Sequence, residues 1–190
     1  MQKTYIIAEI GINHNGSLDT AKKLIDIAAL SGCDAVKFQK RNPDVCVPEH
    51  QKGKMRETPW GTMTYLEYKY KVEFEKEEYD EIDRYCREKD IQWSASPWDI
   101  DSLNFLMEYD IPWLKVPSAM ITNEELMKAC AATGKKIIFS TGMSTYEEIN
   151  QAVEWLEGCD IVMLHCNSTY PAPLEDLNLK CIQTLKDSYG

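Results

Sequence analysis

Short apolar runs alternate with longer amphipathic runs along the whole sequence, and this alternation restricts the chain to a small number of folds. Six runs are rich in β-forming residues and continuously apolar, as expected for parallel strands that are covered on both faces. They are Tyr5–Ile10, Ala35–Gln39, Ile91–Ser96, Trp113–Pro117, Lys136–Ser140 and Ile161–Cys166. Strands that alternate with helices are joined by right-handed crossovers into a parallel sheet, so the pattern predicts an α/β fold.

Helix start and stop signals lie between these runs. The candidate N-caps are Ser17, Asp99 and the Thr122–Asn123 pair, and Gly32 and Gly134 are the candidate stops. Ser144 opens a capping-box pattern with Glu147 three residues later, and Asp176 or Leu177 is the predicted start of the last helix. Together with the strand runs, these signals give six βα units.

A barrel of the TIM (β/α)8 type closes at eight such units. The sequence therefore predicts either an open α/β sheet or such a barrel with about six of its eight βα units present. We expect residues 1–190 to form one domain, a partial (β/α) barrel. The segment 40–74 is far longer than a usual βα loop, and we expect it to be a long loop that acts as a lid or binding loop.

Composition excludes several classes of function. The 190 residues are 44% hydrophobic, enough for a real core, yet no apolar run approaches the roughly 18 residues of a membrane span. The N-terminus lacks the pattern of a signal peptide, which predicts a cytoplasmic protein. The net charge of −10 argues against nucleic acid as a partner, because phosphate backbones require clustered Lys and Arg. Seven scattered cysteines without metal-ligand spacing are interpreted as packed thiols.

Polar side chains follow every predicted strand, at the ends where parallel α/β folds place their active sites. Lys37 and Lys115 are the most informative, because each lies within an apolar run. A buried lysine needs an anionic partner. One interpretation is a structural ion pair with a carboxylate such as Glu9. The other is that both ammonium groups, with neighbouring serines, bind a compact dianion.

Two loop motifs also have two interpretations each. In GINHNG, His14 is either a ligand or acid–base group, or a scaffold that hydrogen-bonds within the loop. The Ser140–Thr141–Gly142 motif suits a phosphate at a helix N-terminus, but it also fits an ordinary turn and N-cap.

Seven motifs in order carry a resemblance to a known family. They are AEIGINHNG, VKFQKR, PWGTMTYLEYKYKVEF, ASPWD, LKVPSA, FSTGMST and LHCNSTYPAP. In this order and spacing they resemble the N-acetylneuraminate (sialic acid) synthase family, which includes the legionaminate and pseudaminate synthases. The resemblance implies a TIM barrel that condenses phosphoenolpyruvate with an N-acetylated hexose, such as N-acetylmannosamine, and releases phosphate. It also implies a homodimer for the full-length family.

The resemblance assigns substrate contacts residue by residue. Phosphoenolpyruvate carboxylate contacts are implied for Lys37, Ser96 and Lys115, and phosphate contacts for Lys115, Ser118, Ser140, Ser168 and Tyr170. Glu9 and Gln39 match positions near the sugar. Glu9 and His14 are the candidate catalytic groups, because the position of a proposed family glutamate is Met120 here. Ser168 replaces a frequent asparagine, and both can donate a hydrogen bond.

The resemblance further implies a divalent metal, Mn²⁺ or Mg²⁺, that polarises the sugar aldehyde. The family's metal-binding histidines follow the sixth strand, in a segment that would begin where this sequence stops. We therefore expect no metal ligands within this chain. The family's C-terminal antifreeze-like domain is likewise not in the sequence.

Three other functions stay open at this point. A class I aldolase would use Lys115 as a Schiff-base lysine. A related synthase acting on a sugar phosphate could use the basic residues Lys52, Lys54 and Arg56. A truncated, non-catalytic phosphoenolpyruvate- or anion-binding fragment is the third possibility.

Overall fold

The computed structural model describes residues 3–190. The chain divides into two compact units, Met1–Pro112 and Trp113–Gly190. Each unit contains a parallel three-stranded sheet flanked by helices. The predicted α/β class with parallel strands is confirmed, whereas barrel closure and the number of βα units in the whole protein stay predictions.

The first unit is built on a sheet with the strand order β1-β2-β5. The strands are β1 (Ile7–Gly11), β2 (Ala35–Lys40) and β5 (Gln92–Pro97), and the helices that contact this sheet are α1 (Leu18–Leu30), α5 (Lys76–Glu88) and α6 (Ile100–Leu106). The central strand β2 is almost fully buried, as its continuous hydrophobicity predicts. Phe38 and Tyr79 lie at the centre of this core, each at most 1% exposed.

Segment 40–74 contains secondary structure that the sequence analysis did not predict. It holds α2 (Pro43–Cys46), α3 (Glu49–Lys52), an antiparallel hairpin of β3 (Met55–Thr58) and β4 (Gly61–Thr64), and α4 (Tyr65–Val72). These elements are only four to eight residues long, so hydrophobic periodicity does not reveal them. Whether the segment acts as a lid stays a prediction.

The second unit is built on a sheet with the strand order β6-β7-β8. Its elements are β6 (Trp113–Val116), α7 (Glu124–Ala132), β7 (Lys136–Ser140), α8 (Tyr146–Trp155), β8 (Ile161–Leu164) and α9 (Lys180–Tyr189), with short 3-10 turns at Ser118–Met120 and Leu174–Asp176. Leu114, Ile137 and Phe139 are fully buried and form the centre of its core.

Most predicted caps are confirmed, and two helix starts are corrected. The side chains of Ser17, Asp99 and Asn123 each accept a hydrogen bond from the first turn of a helix. Helix α8 is capped by Thr145 with Glu148, one residue later than predicted, because two overlapping capping boxes fit the sequence and Ser144 instead donates to the Gly142 carbonyl. Helix α9 begins at Lys180, because residues 174–176 form a separate 3-10 turn.

No helix among residues 3–190 is long and apolar enough to cross a membrane.

Candidate active site

The predicted site residues fall into two groups, one in each unit. In the first unit, strand pairing places four of them in two opposite pairs. Glu9 of β1 is directly opposite Lys37 of β2, and Gln39 of β2 is opposite Ser96 of β5. Because side chains alternate along a strand, Lys37 and Gln39 point to the same face of the sheet.

Lys37 is the centre of this first group. Its side chain is only 5% exposed, and its ammonium lies 2.9 Å from Glu9 Oε2. The same ammonium donates to Ser96 Oγ at 3.0 Å and to the Phe38 carbonyl at 3.4 Å. The expected ion pair between a buried lysine and Glu9 is therefore present. The Glu9 side chain is 60% exposed, so its carboxylate can move away and leave a buried cation beside a serine hydroxyl.

Gln39 is half-buried, and both ends of its side-chain amide have a defined neighbour. Its Oε1 accepts a hydrogen bond from the guanidinium of Arg41. A Cβ atom at Gly11 would lie 3.5 Å from Gln39 Nε2, so the amide nitrogen is next to the end of β1. The sequence analysis placed Gln39 near the sugar but did not single out Arg41.

His14 is buried within the loop that follows β1. Its ring stacks on Phe74 with a centroid distance of 3.9 Å, and its Nδ1 accepts a hydrogen bond from the Gly16 N–H at 3.1 Å. Burial lowers the pKa of His14 to about 4, although a hydrogen bond with the Gly11 backbone acts in the opposite direction. A neutral, stacked imidazole with these bonds matches the scaffold interpretation better than the acid–base one.

The second group surrounds the turn after β7. The Gly142 N–H donates to Ser118 Oγ at 3.0 Å, and Cys166 Sγ lies 3.2 Å from Ser140 Oγ. A Cβ atom at Gly142 would lie 2.9 Å from Ser118 Oγ and 3.0 Å from Ser168 Oγ. Two of the predicted phosphate contacts, Ser118 and Ser168, therefore lie beside one glycine that has no room for a side chain, and Ser140 precedes that glycine by two residues.

Lys115 and Tyr170 complete the predicted set in the second unit. Lys115 is 7% exposed, and its ammonium donates to the Val116 carbonyl at 3.2 Å. Tyr170 is 92% exposed, so its side chain lies in solvent instead of packing beside the serines. Its predicted phosphate contact requires the side chain to turn inward when a ligand binds.

A divalent metal does not fit the residues described. Within residues 3–190, no three His, Cys, Asp or Glu side chains are close enough together to hold a metal ion.

These observations define the class of protein. In each of two parallel sheets, a buried lysine and neighbouring serines lie at the carboxyl ends of the strands, where α/β enzymes place their active sites.

Comparison with known proteins identifies the family within this class. Residues 24–190 match the NeuB family, and the chain belongs to it. It is 38% identical over its whole length to an N,N'-diacetyllegionaminic acid synthase of Campylobacter jejuni, and 34% identical to an N-acetylneuraminate-9-phosphate synthase of Drosophila melanogaster. A solved structure of a sialic acid synthetase from Leptospira borgpetersenii, in complex with citrate, matches 99% of the chain with a TM-score of 0.89 and 34% identity.

The chain spans little more than half the length of these relatives. It covers 59% of the Campylobacter protein, 52% of the Drosophila protein and 62% of the Leptospira chain. The predicted resemblance to sialic-acid-type synthases is confirmed.

Proposed function

We propose that this chain carries the phosphoenolpyruvate-binding part of a nonulosonic acid synthase. The reaction condenses phosphoenolpyruvate with an N-acetylated hexose, N-acetylmannosamine or a close relative, and releases phosphate. The observation that carries the proposal is the buried Lys37 ammonium, which contacts the exposed carboxylate of Glu9 and the hydroxyl of Ser96. A buried cation with an exchangeable partner is suited to a carboxylate ligand.

In this proposal the resemblance assigns each residue to a part of the substrates, and Lys115 contacts two parts of phosphoenolpyruvate. Lys37, Lys115 and Ser96 bind the carboxylate of phosphoenolpyruvate, while Lys115, Ser118, Ser140, Ser168 and Tyr170 bind its phosphate. Glu9 and Gln39 contact the sugar. His14 is assigned to holding the loop after β1, because its buried ring is stacked on Phe74 and bonded to Gly16.

The chemistry needs no covalent bond to the protein. C3 of phosphoenolpyruvate attacks the sugar aldehyde, water adds at C2, and the resulting hemiketal phosphate expels phosphate. The lysines hold the anion in place and neutralise its charge. The divalent metal expected for the family, a homodimer and a cytoplasmic location belong to the same proposal.

Calorimetric titration with phosphoenolpyruvate tests the binding step. We expect the Lys37→Met variant to bind about 10-fold to 100-fold more weakly than the wild type, because a charge-assisted contact contributes about 1.5–3 kcal/mol. The matched control is Lys22→Met, which removes a lysine paired with Glu81 on the helices of the same unit. Equal affinity of the Lys37→Met variant and the wild type would contradict the proposal.

A phosphate-release assay tests the reaction and separates the alternatives. N-acetylmannosamine and its 6-phosphate are compared as substrates, because the names of the relatives include both an unphosphorylated product and a 9-phosphate. Binding of phosphoenolpyruvate without phosphate release, with manganese present, would identify an anion-binding chain that is inactive by itself. Borohydride trapping of pyruvate on Lys115 would instead indicate a class I aldolase.

A further inference from the structure

Arg41 continues the row of functional side chains beyond the end of β2. It follows Lys37 and Gln39 at the same two-residue spacing, which places all three on one face. Arg41 is nevertheless 6% exposed, an unusual burial for a guanidinium. Its planar guanidinium packs on Trp98, with Cζ 4.8 Å from the centre of the indole ring.

Glu73 holds Arg41 in this position from the far end of the segment that follows β2. Glu73 Oε1 accepts the backbone N–H of Arg41 at 3.0 Å, and Glu73 Oε2 lies 3.5 Å from Arg41 Nε. Both side chains are almost inaccessible, at 2% and 7% exposure. Neither Arg41 Nε nor Glu73 Oε2 has a hydrogen-bond partner, so the two side chains interact by charge and packing, while the hydrogen bond joins Glu73 to the Arg41 backbone.

A buried ion pair of this kind stabilises a fold weakly, because removing two charges from water offsets most of their attraction. Such pairs are explained better when they fix the geometry of a neighbouring group. The neighbour here is Gln39, whose Oε1 accepts a hydrogen bond from Arg41 Nη2.

The chemistry of arginine determines which end of the Gln39 amide faces it. A guanidinium has only donors, so the amide oxygen must point toward Arg41 and the amide NH2 group must point away. In the structure the NH2 group lies beside Gly11, at the end of β1 and two residues after Glu9. Gly11 has no side chain to cover it.

We propose that Arg41, held by Glu73, is a positioning residue that fixes the Gln39 amide as a hydrogen-bond donor toward an oxygen acceptor of the sugar substrate. The acceptor is a hydroxyl or the carbonyl oxygen of the N-acetyl group. This inference rests on the proposed function, because it requires a sugar at Gln39. It adds a specificity rule: the site selects a sugar that offers an acceptor at this position.

Gln39→Glu is the most informative variant. A carboxylate keeps the bond from Arg41, and strengthens it by charge, but has no hydrogen to donate to the sugar. We expect the variant to melt at or above the wild-type temperature, to bind phosphoenolpyruvate within about twofold of wild type, and to bind N-acetylmannosamine about 10-fold to 100-fold more weakly.

Two variants of Arg41 test its role as the positioning residue. Arg41→Lys keeps a charge beside Glu73 but lacks the planar fork, and Arg41→Met removes both. We expect each to weaken binding of N-acetylmannosamine more than binding of phosphoenolpyruvate, with Lys the milder change. Lys40→Met is the matched control: Lys40 is also buried and cationic, but it lies on the opposite face of β2 and donates to the Phe74 carbonyl at 2.7 Å. The control should leave binding of both ligands unchanged.

Titrations of N-acetylmannosamine, its 6-phosphate and phosphoenolpyruvate into the full chain distinguish the outcomes. Unchanged sugar affinity in Gln39→Glu, or an equal loss for sugar and phosphoenolpyruvate, overturns the inference. A wild-type chain that binds phosphoenolpyruvate but neither sugar also overturns it and leaves the anion site intact. A wild-type chain that binds no phosphoenolpyruvate contradicts the proposed function instead.

Discussion

At the scale of single residues, the ammonium of Lys37 already has an anionic partner before any ligand binds. A phosphoenolpyruvate carboxylate must either displace the Glu9 carboxylate, which lies 2.9 Å from the ammonium, or share the ammonium with it. Because Glu9 is 60% exposed, solvent screens this ion pair and its contribution is about 1 kcal/mol or less.

This competition leads to a prediction for Glu9→Gln. The variant removes the competing charge and keeps the size of the side chain, so we expect it to bind phosphoenolpyruvate up to about fivefold more tightly. Calorimetry measures the change. Weaker binding would mean that Glu9 helps to orient the anion and does not compete with it.

Glu73 gives a second prediction, concerning pH and stability. Burial raises the pKa of Glu73 to about 7. The charges of Arg41 and Lys40 oppose this increase, and the charge of Glu75 adds a smaller increase. The folded state therefore holds a proton on Glu73 at pH values where the unfolded state has lost it. The stability contributed by this group is fully present below about pH 4.5 and is lost as the pH rises toward 7.

Replacing Glu73 by Gln should remove this dependence. We expect the free energy of unfolding of Glu73→Gln, relative to wild type, to be higher at pH 8 than at pH 4.5 by up to about 3 kcal/mol, so the variant is relatively more stable at pH 8. Urea unfolding at both pH values measures it. His14, with a pKa of about 4, lowers the stability of both proteins as the pH decreases below 6.5. This contribution cancels when the wild-type free energy of unfolding is subtracted from that of the variant. A pH-independent difference would show that Glu73 is ionised throughout.

At the scale of elements, the loop after β1 and the end of α4 make a very close contact. Gly16 has a φ of +67°, and a Cβ atom there would lie 2.1 Å from the Lys71 carbonyl oxygen. The contact fixes the loop that carries His14 against the C-terminal end of segment 40–74, which also contains Glu73.

We expect Gly16→Ala to lower the free energy of unfolding by about 2–4 kcal/mol, the sum of left-handed backbone strain and steric overlap. Gly32→Ala is the control, because Gly32 has a similar φ of +78° but nothing within 4 Å of the added carbon. Its loss should be about 1–2 kcal/mol, from backbone strain alone. Denaturant unfolding measures the loss for each variant. Equal losses would mean that the backbone at Gly16 moves away from the Lys71 carbonyl without an energetic cost.

The elements also show how much of the fold was predictable. Parallel strands and the caps Ser17, Asp99 and Asn123 depend on nearby residues, so the sequence reveals them. The placement of Lys37 and Gln39 on one face follows from strand alternation alone. Alternation also places Arg41 on that face, a signal that the sequence analysis did not use.

Glu73 could not be found in this way. It is 32 residues from Arg41, and no local pattern links them. The same holds for the crowding of Ser118 and Ser168 around Gly142, which depends on how separate loops pack. Long-range packing of this kind is not encoded in any window of the sequence.

At the scale of the whole molecule, the net charge of −10 opposes association with any polyanion. A single small dianion is different, because a few buried lysines supply its contacts. We expect no complex with double-stranded DNA in a gel-shift assay at low salt and micromolar protein. Lysozyme, a basic protein, serves as the positive control. A complex that weakens as salt is added would show that the positive charges are clustered on one surface.

The alternation of β2 has one consequence for how this chain can change over evolution. Lys37 and Gln39 share one face of the strand, and Arg41 follows the strand at the same spacing, while Phe38 and Lys40 occupy the other face. Inserting or deleting one residue within β2 would exchange the two faces and turn Lys37 and Gln39 away from the site in a single step. A point substitution in this strand changes one side chain, but a change in its length displaces all of them, so we expect natural length variation to be confined to the segment that follows it.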